Sequence, residues 1–498
     1  MKDNGRVIKN LLLVFSSEGI GGILSFAIVL LSARLLGVED FGVFSYILAI
    51  TGVCQLIADF GLTSLIVREL AKQKDRAKYI MSNVMSLAWI LSIVILLIVV
   101  SVAHFTLEHT HEFVAAVLMG FAVLATYHSV VYSSVCRAFE RMGYNAFSFV
   151  THKIILLGLV LFFASPYSPF ESTIIGIATA YLIANFMQYL FFFVVVRTRF
   201  VRFGFGRDLG FCFKLLADAI PIGISMVIRR MTSHVDILLL TSMSTTVSVG
   251  IFSSAYKVVQ MVDMIPHAFI LPLFPAMSRL ANGDSGELKK FFFTALTGFL
   301  IISVPLSGYI IISAENLVTL LYGTEYLRAG PALEILGIAT VGLFVNMLLS
   351  YFFIALNKQR FYMLSAAACL IVNIIVDVIL IPEFAELGAA YGTLAGEITY
   401  FLLCVFFLKH LGFNFAWLTN IFRPVALTAV AALICTYIPA TGLTWQLLVT
   451  LVFVMVYVPG LFLTKVIEVS DLRQVLEVIK PNQKRQKKSD NSAISGIK

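Results

Sequence analysis

The chain has 498 residues, 59% of them hydrophobic and only 13% charged, with a mean hydropathy of +0.94 and a formal net charge of +8. A soluble globular protein of that composition would expose large apolar patches, so soluble enzymes and nucleic-acid-binding domains are excluded and a polytopic membrane protein remains. The six cysteines (Cys54, Cys136, Cys212, Cys369, Cys404 and Cys435) lie in or beside apolar runs without CxxC or zinc spacing, and read as small buried hydrophobes.

The opening MKDNGRVIKN leads into an apolar run that is too long for a signal peptide, contains Glu18 and Arg34, and lacks a small-residue cleavage site. The first span is therefore expected to be retained. Windows of about 20 apolar residues predict spans near 10–33, 42–66, 79–103, 113–135, 147–165, 172–196, 211–240, 249–276, 291–312, 331–356, 361–381, 387–408, 424–438 and 444–464, fourteen in all. Charge supports the count independently, because cytoplasmic connections are enriched in Lys and Arg. All 36 Lys and Arg lie in the N-terminus, every second connection (with Lys214 at the leading edge of the seventh span) and the C-terminal tail, except Arg34 and Arg328 in the intervening connections and Lys153, Arg229, Arg230 and Lys257 inside spans. An extra or missing span would scramble that alternation, so both termini are expected in the cytoplasm and the protein in the cell (inner) membrane.

The outward connections are short, and none can hold a domain. HFTLEHTHE (104–112) reads as a solvated turn in preference to a metal site. From Val466 onward an amphipathic segment precedes a Lys/Arg-rich tail, which anionic lipid headgroups would attract.

Residues 36–50 (LGVEDFGVFSYILAI) open the second span, and residues 244–258 (STTVSVGIFSSAYKV) open the eighth. At an offset of 208, Gly42-Val43-Phe44-Ser45 falls on Gly250-Ile251-Phe252-Ser253. Six spans separate the copies, an even number, so they share orientation and form parallel repeats about an axis along the membrane normal, a transporter arrangement with a cavity between halves. The expected organisation is an all-α integral membrane protein with two six-helix lobes, 1–208 and 209–412, two added helices in 413–465, and a basic cytoplasmic tail, 466–498.

An ionisable group at bilayer depth costs on the order of 3 kcal/mol and should face the bundle interior or water. Glu18, Gly22, Ser25 and Ser32 share one stripe of the first span, and Gln55 and Asp59 lie one turn apart in the second. Arg229 and Asp236 share a face of the seventh, where Pro221 permits a bend; the eighth aligns Ser253, Lys257, Gln260 and His267. Arg229, Arg230, Lys257 and Lys153 outnumber the deep acids of the central spans, and such a cationic surplus favours an anionic substrate. The candidate substrate residues are accordingly Arg229, Arg230, Lys257, Lys153, Glu18, Asp59 and Gln260.

ARLLGVEDFGVFSYILAITGVCQLIADFGL near the start, LPLFPAMSRL (271–280), LLYGTEYLRAGPALEILGIA (320–339) and NKQRFYMLSAAACLIVNIIVDVILIPEFAELGAAYGTLAGE (357–397) resemble the polysaccharide transport branch of the multidrug/oligosaccharidyl-lipid/polysaccharide (MOP) exporter superfamily, along nearly the whole chain. The resemblance implies a flippase for undecaprenyl-diphosphate-linked oligosaccharides that build a cell-surface polysaccharide, working by alternating access and breaking no bond. It also implies no cofactor beyond a coupling ion, and glycosyltransferases and a polymerase as partners in the same synthesis. By similarity to lipid II flippases, Asp236, Asn373, Asp377, Ala389 (through its carbonyl) and Thr393 would hold sodium. Residues four apart on a helix face one way, and the set offers only oxygen donors, suited to a hard cation. Two carboxylates around one monovalent ion leave net negative charge unless one is protonated, so proton coupling stays open. The competing readings are a multidrug antiporter of the same superfamily and a membrane enzyme acting on a polyprenyl-linked glycan, the latter disfavoured by the short outward turns.

Overall fold

The computed structural model describes residues 2–165, 167–170, 172–281, 285–413, 422–438 and 442–464. Hydrocarbon offers the backbone no hydrogen-bond partner, so a spanning segment must satisfy its own amides as a helix; the described residues accordingly form helices and short connections, with no strand among them. In chain order these are α1 (Lys2–Asp59), α2 (Leu62–Lys72), α3 (Ala77–Thr106), α4 (Thr110–Ala138), α5 (Met142–Phe163), α6 (Thr173–Arg199), α7 (Leu209–Met243), α8 (Thr246–Val262), α9 (Met264–Leu280), α10 (Ser285–Tyr322), α11 (Ala329–Ala355), α12 (Gln359–Phe384), α13 (Glu386–His410), α14 (Phe422–Thr436) and α15 (Gly442–Leu463).

Eleven helical stretches among the described residues are long and apolar enough to cross a bilayer. The first of them, Ser16–Lys72, contains a break at Gly37, whose φ of 74° suits a residue without Cβ. Two shorter apolar helices lie at the remaining predicted spans: His234–Met243 within α7 overlaps the end of the seventh, and Phe422–Thr436 matches the thirteenth. Fourteen crossings fit this arrangement. The basic tail, 466–498, lies outside the described residues.

Two predicted spans differ from expectation by being broken. The second was read as continuous over 42–66, yet Phe60 (φ 31°) and Gly61 (φ 81°) interrupt it. The Asp59 carboxylate there accepts from the Thr63 amide and hydroxyl, both at 3.1 Å. Phe60 presses on α7 at Gly223, where a Cβ would come within 2.4 Å of the Phe60 carbonyl oxygen. The eighth is split at Asp263 into α8 and α9.

By its contacts the chain divides into two compact units. The first comprises Met1–Met264, Ser313–Ala339 and Met363–Tyr400; the second comprises Ile265–Ile312, Thr340–Tyr362 and the chain from Phe401 onward.

In the first unit the repeated segments pack on each other. A Cβ on Gly42 would stand 1.9 Å from the Thr246 carbonyl oxygen, and one on Gly250 would stand 2.0 Å from that of Val38. Val38 and Thr246 are themselves 208 apart, so the crossing of α1 and α8 is reciprocal, with each copy presenting a glycine to the other's main chain. Lipid tails are as apolar as leucine, so helix association in a membrane depends on this kind of close approach. Phe44 and Phe252 are both fully buried beside the crossing.

The two arginines outside the charge alternation also find partners in this unit. Arg34 donates through Nε and Nη2 to the carbonyls of Leu321 and Leu320, in the last turn of α10. Arg328 pairs with Glu386, the first residue of α13, at 2.9 Å. Cations at a helix C-terminus and acids at an N-terminus complement the helix dipole. In the second unit, Phe292 and Phe352 pack at 4.2 Å and Phe361 stacks on Phe407 at 4.4 Å. There α14 and α15 close on α10 through Ala431, Val449, Phe453 and Tyr457, whose hydroxyl donates to the Ile301 carbonyl at 2.9 Å.

Candidate functional site

Asp236 of α7, Asn373 and Asp377 of α12 and Thr393 of α13 meet in a buried cluster within the first unit. Asp236 accepts from Asn373 Nδ2 at 2.8 Å and from Thr393 Oγ1 at 2.7 Å, one donor to each carboxylate oxygen. Asp377 is 0% exposed and adjoins Asp236 within hydrogen-bonding reach: with both carboxylates ionised neither Asp377 oxygen has a donor, a proton on one would make an Asp377–Asp236 hydrogen bond, and Asn373 Oδ1 has no partner. Three unpaired oxygens thus stand in one buried place. An ionised carboxylate left so would cost several kcal/mol, which a bound cation or a proton removes. Two carboxylates, an amide oxygen and a hydroxyl form an all-oxygen donor set of the kind a hard cation takes. Ala389, expected to contribute its carbonyl, is buried one turn before Thr393 on α13.

The expected substrate residues divide into three groups. Lys257 of α8 donates to Gln260 Oε1 at 2.8 Å. Lys153 of α5 lies 5.8 Å from the centre of the Phe149 ring and within electrostatic range of Lys257. Arg230 of α7 is exposed, and His234, one turn further along the helix, is within electrostatic range of both Arg230 and Lys257. Among the described residues no ion pair includes Lys153, Arg230 or Lys257. Elements α5, α7 and α8 therefore bring three cations near one another, none of them ion-paired among the described residues. The Arg229 side chain lies outside those described. Asp59 is engaged at the start of α2, and Glu18 is exposed on α1. Ser25 and Ser32, aligned with Glu18 in the sequence, donate back to Gly21 and Ile28 of their own helix at 2.7 and 2.8 Å.

The family model described as polysaccharide biosynthesis protein matches residues 7–281, more than half of the chain. The chain belongs to that family. A similar curated relative is the probable low-salt glycan biosynthesis flippase Agl15 of Haloferax volcanii, 21% identical over 381 residues that cover 76% of this chain and 79% of the relative. Among solved structures, the lipid II flippase MurJ in an inward closed conformation superposes with a TM-score of 0.73 at 16% identity, covering 91% of this chain and 98% of the other. An inward-facing multidrug resistance MATE family transporter of the MOP superfamily reaches 0.64 at 15% identity, over 79% of this chain and 94% of that one. The all-helical MOP fold expected from the sequence is the one this family member has.

His234 was missed in the sequence, although its phase could have found it, since it lies four residues from Arg230 and four from Arg230 is one helical turn. Gly392 was missed too; its signal is the run GAAYGTLAG (388–396), with glycines every fourth residue.

Proposed function

We propose that this protein is a flippase for a lipid-linked glycan, which it moves from the cytoplasmic to the outer leaflet of the cell membrane by alternating access of the 1–208 and 209–412 lobes. The observation that carries this reading is the pair Lys153 and Lys257 inside apolar spans with Arg230 near them on α7, none of the three ion-paired among the described residues. Such a group suits a dianionic headgroup such as the diphosphate of an undecaprenyl carrier, and does not suit the cationic substrates of a multidrug antiporter. Lys257 and Arg230 would hold the phosphate oxygens through charge-assisted hydrogen bonds, with Gln260 and His234 turning toward the first sugar. No bond is made or broken, and the polyprenyl chain stays in lipid. Glycosyltransferases that build the glycan and a polymerase that consumes it would work on either side of this step.

The paired carboxylates support cation coupling. Asp236, Asn373, Asp377 and Thr393, with the carbonyl of Ala389, would hold a sodium ion, and a proton on Asp377 would satisfy the same pair. Bound sodium supplies the positive charge that lets both carboxylates remain ionised. The residues' own part is to tie α7, α12 and α13 into one body when neutralised and to release them when not.

In proteoliposomes containing a polyprenyl-diphosphate glycan, Lys257→Ala is expected to abolish headgroup transfer; unchanged transfer would remove the substrate assignment. A rate indifferent to sodium and unaltered in Asp377→Ala would remove the coupling.

A further inference from the structure

We infer that Gly392 is the positioning residue of the cation pocket: its missing side chain is the space that the Asp377 carboxylate occupies. The inference deepens the cation reading above and rests on it for its functional meaning, although the geometry stands by itself. Gly388, Gly392 and Gly396 lie four apart on α13 and so form one face, which is laid against α12. The three do different things. A Cβ on Gly388 would meet main chain, at 2.6 Å from both Leu380 C and Ile381 N, and one on Gly396 would meet Cys369 O and Sγ at 3.2 Å. The Gly388 contact sets the spacing of the helices, and the Gly396 contact is a tight but milder one. A Cβ on Gly392 would instead stand 1.8 Å from Asp377 Oδ1 and 2.8 Å from its Cγ. Asp377 is fully buried against Asp236 and its ionised oxygens have no donor, so the carboxylate that faces Gly392 is one of the pair a cation or a proton would neutralise.

An aspartate has two side-chain torsions and little reach. A methyl at 392 meets the α12 main chain only at Asn373 O, 3.3 Å away, so its severe clash is with the Asp377 carboxylate and the cheap relief is for Asp377 to rotate. That rotation takes a carboxylate oxygen out of the group formed with Asp236, Asn373 and Thr393. The expected result is a folded protein whose pocket has lost a ligand, which differs from the result of forcing the helices apart.

The test uses the full-length protein in detergent and in nanodiscs. Thermal unfolding is followed in choline and in sodium buffers for the native protein, Gly392→Ala, Asp377→Ala and the double variant. Gly392→Ala is expected to weaken the apparent sodium affinity about ten-fold or more, as loss of a positioning contact around a metal does. In choline it should lower the unfolding temperature in the native background and not in the Asp377→Ala background, since the clash needs the carboxylate. An unchanged sodium response overturns the inference, and so does an equal loss in both backgrounds, which would make Gly392 a helix spacer. Should Gly392→Ala fail to fold, recovery of folding in the double variant supports the inference and failure of both overturns it. If the native protein itself shows no sodium response, the cation reading falls, while the choline measurements still decide whether Gly392 places Asp377.

Discussion

Lys257 and Asp377 are both ionisable groups in membrane-spanning helices, and neither has an ion-pair partner among the described residues. Such groups lower stability and persist where function needs them. Lys257→Gln should therefore leave the unfolding temperature unchanged or raised, while headgroup transfer falls about ten-fold or more, because a hydrogen bond to a charged group is worth about 1.5–3 kcal/mol. A variant that lost both stability and transfer would mark Lys257 as a packing residue. The same logic applies to Asp377→Asn, which should hold or gain stability in sodium-free buffer and lose any sodium dependence. At this scale the sequence was informative about residue type and phase. Phase paired Asn373 with Asp377 and the resemblance to lipid II flippases added Asp236 and Thr393, but neither could tell that Asp59, equally polar within its predicted span, is occupied in starting α2. Capping depends on where a helix breaks, and the break follows from Phe60 meeting Gly223 across 163 residues of chain.

Elements are held by close approach of main chains and by their caps. Ala at Gly42 or Gly250 places a methyl within 2.0 Å of a carbonyl oxygen that belongs to a helix backbone and cannot turn aside. Each substitution should cost at least about 1–3 kcal/mol, the usual scale of overpacking. The pair should cost less than the sum, since the first already separates α1 from α8; unfolding of the single and double variants measures this. The start of α7 carries a pH-dependent contribution. The hydrogen bond from Tyr79, and then that from the Phe211 amide, hold the Asp208 carboxyl below its ordinary value. A depressed carboxylate stabilises the fold above its unfolded pKa, and that contribution disappears as the pH falls through the folded one. Stability should thus lose the Asp208 contribution only below the ordinary carboxylate range, and Asp208→Asn should flatten that part of the pH profile. Helix existence was legible from apolar runs about 20 residues long. The breaks at 60–61 and 263 were not, because hydropathy averages over a window and a break is a matter of one or two torsions.

For the whole molecule, the proposed cycle moves a headgroup of about two negative charges outward. An inside-negative potential of 100 mV would then favour transfer by about 4 to 5 kcal/mol, from about 2.3 per charge. Transfer in proteoliposomes should accelerate when a potassium gradient imposes that potential and slow when its sign is reversed; a rate independent of potential would mean that the cargo crosses neutralised. Composition and periodicity alone determined that this chain is a helical membrane protein and that its Lys and Arg alternate between connections, because the bilayer imposes those patterns on any spanning sequence whatever its neighbours; the return of residues 36–50 at 244–258 is likewise a property of the sequence alone. Only the tertiary structure decided that the two repeats cross glycine to glycine, that Lys153 of α5 comes within electrostatic range of Lys257 of α8, and that the Asp377 carboxylate fills the space beside Gly392. Each of these is a distance between residues far apart in the chain, and such distances exist only once the helices have packed.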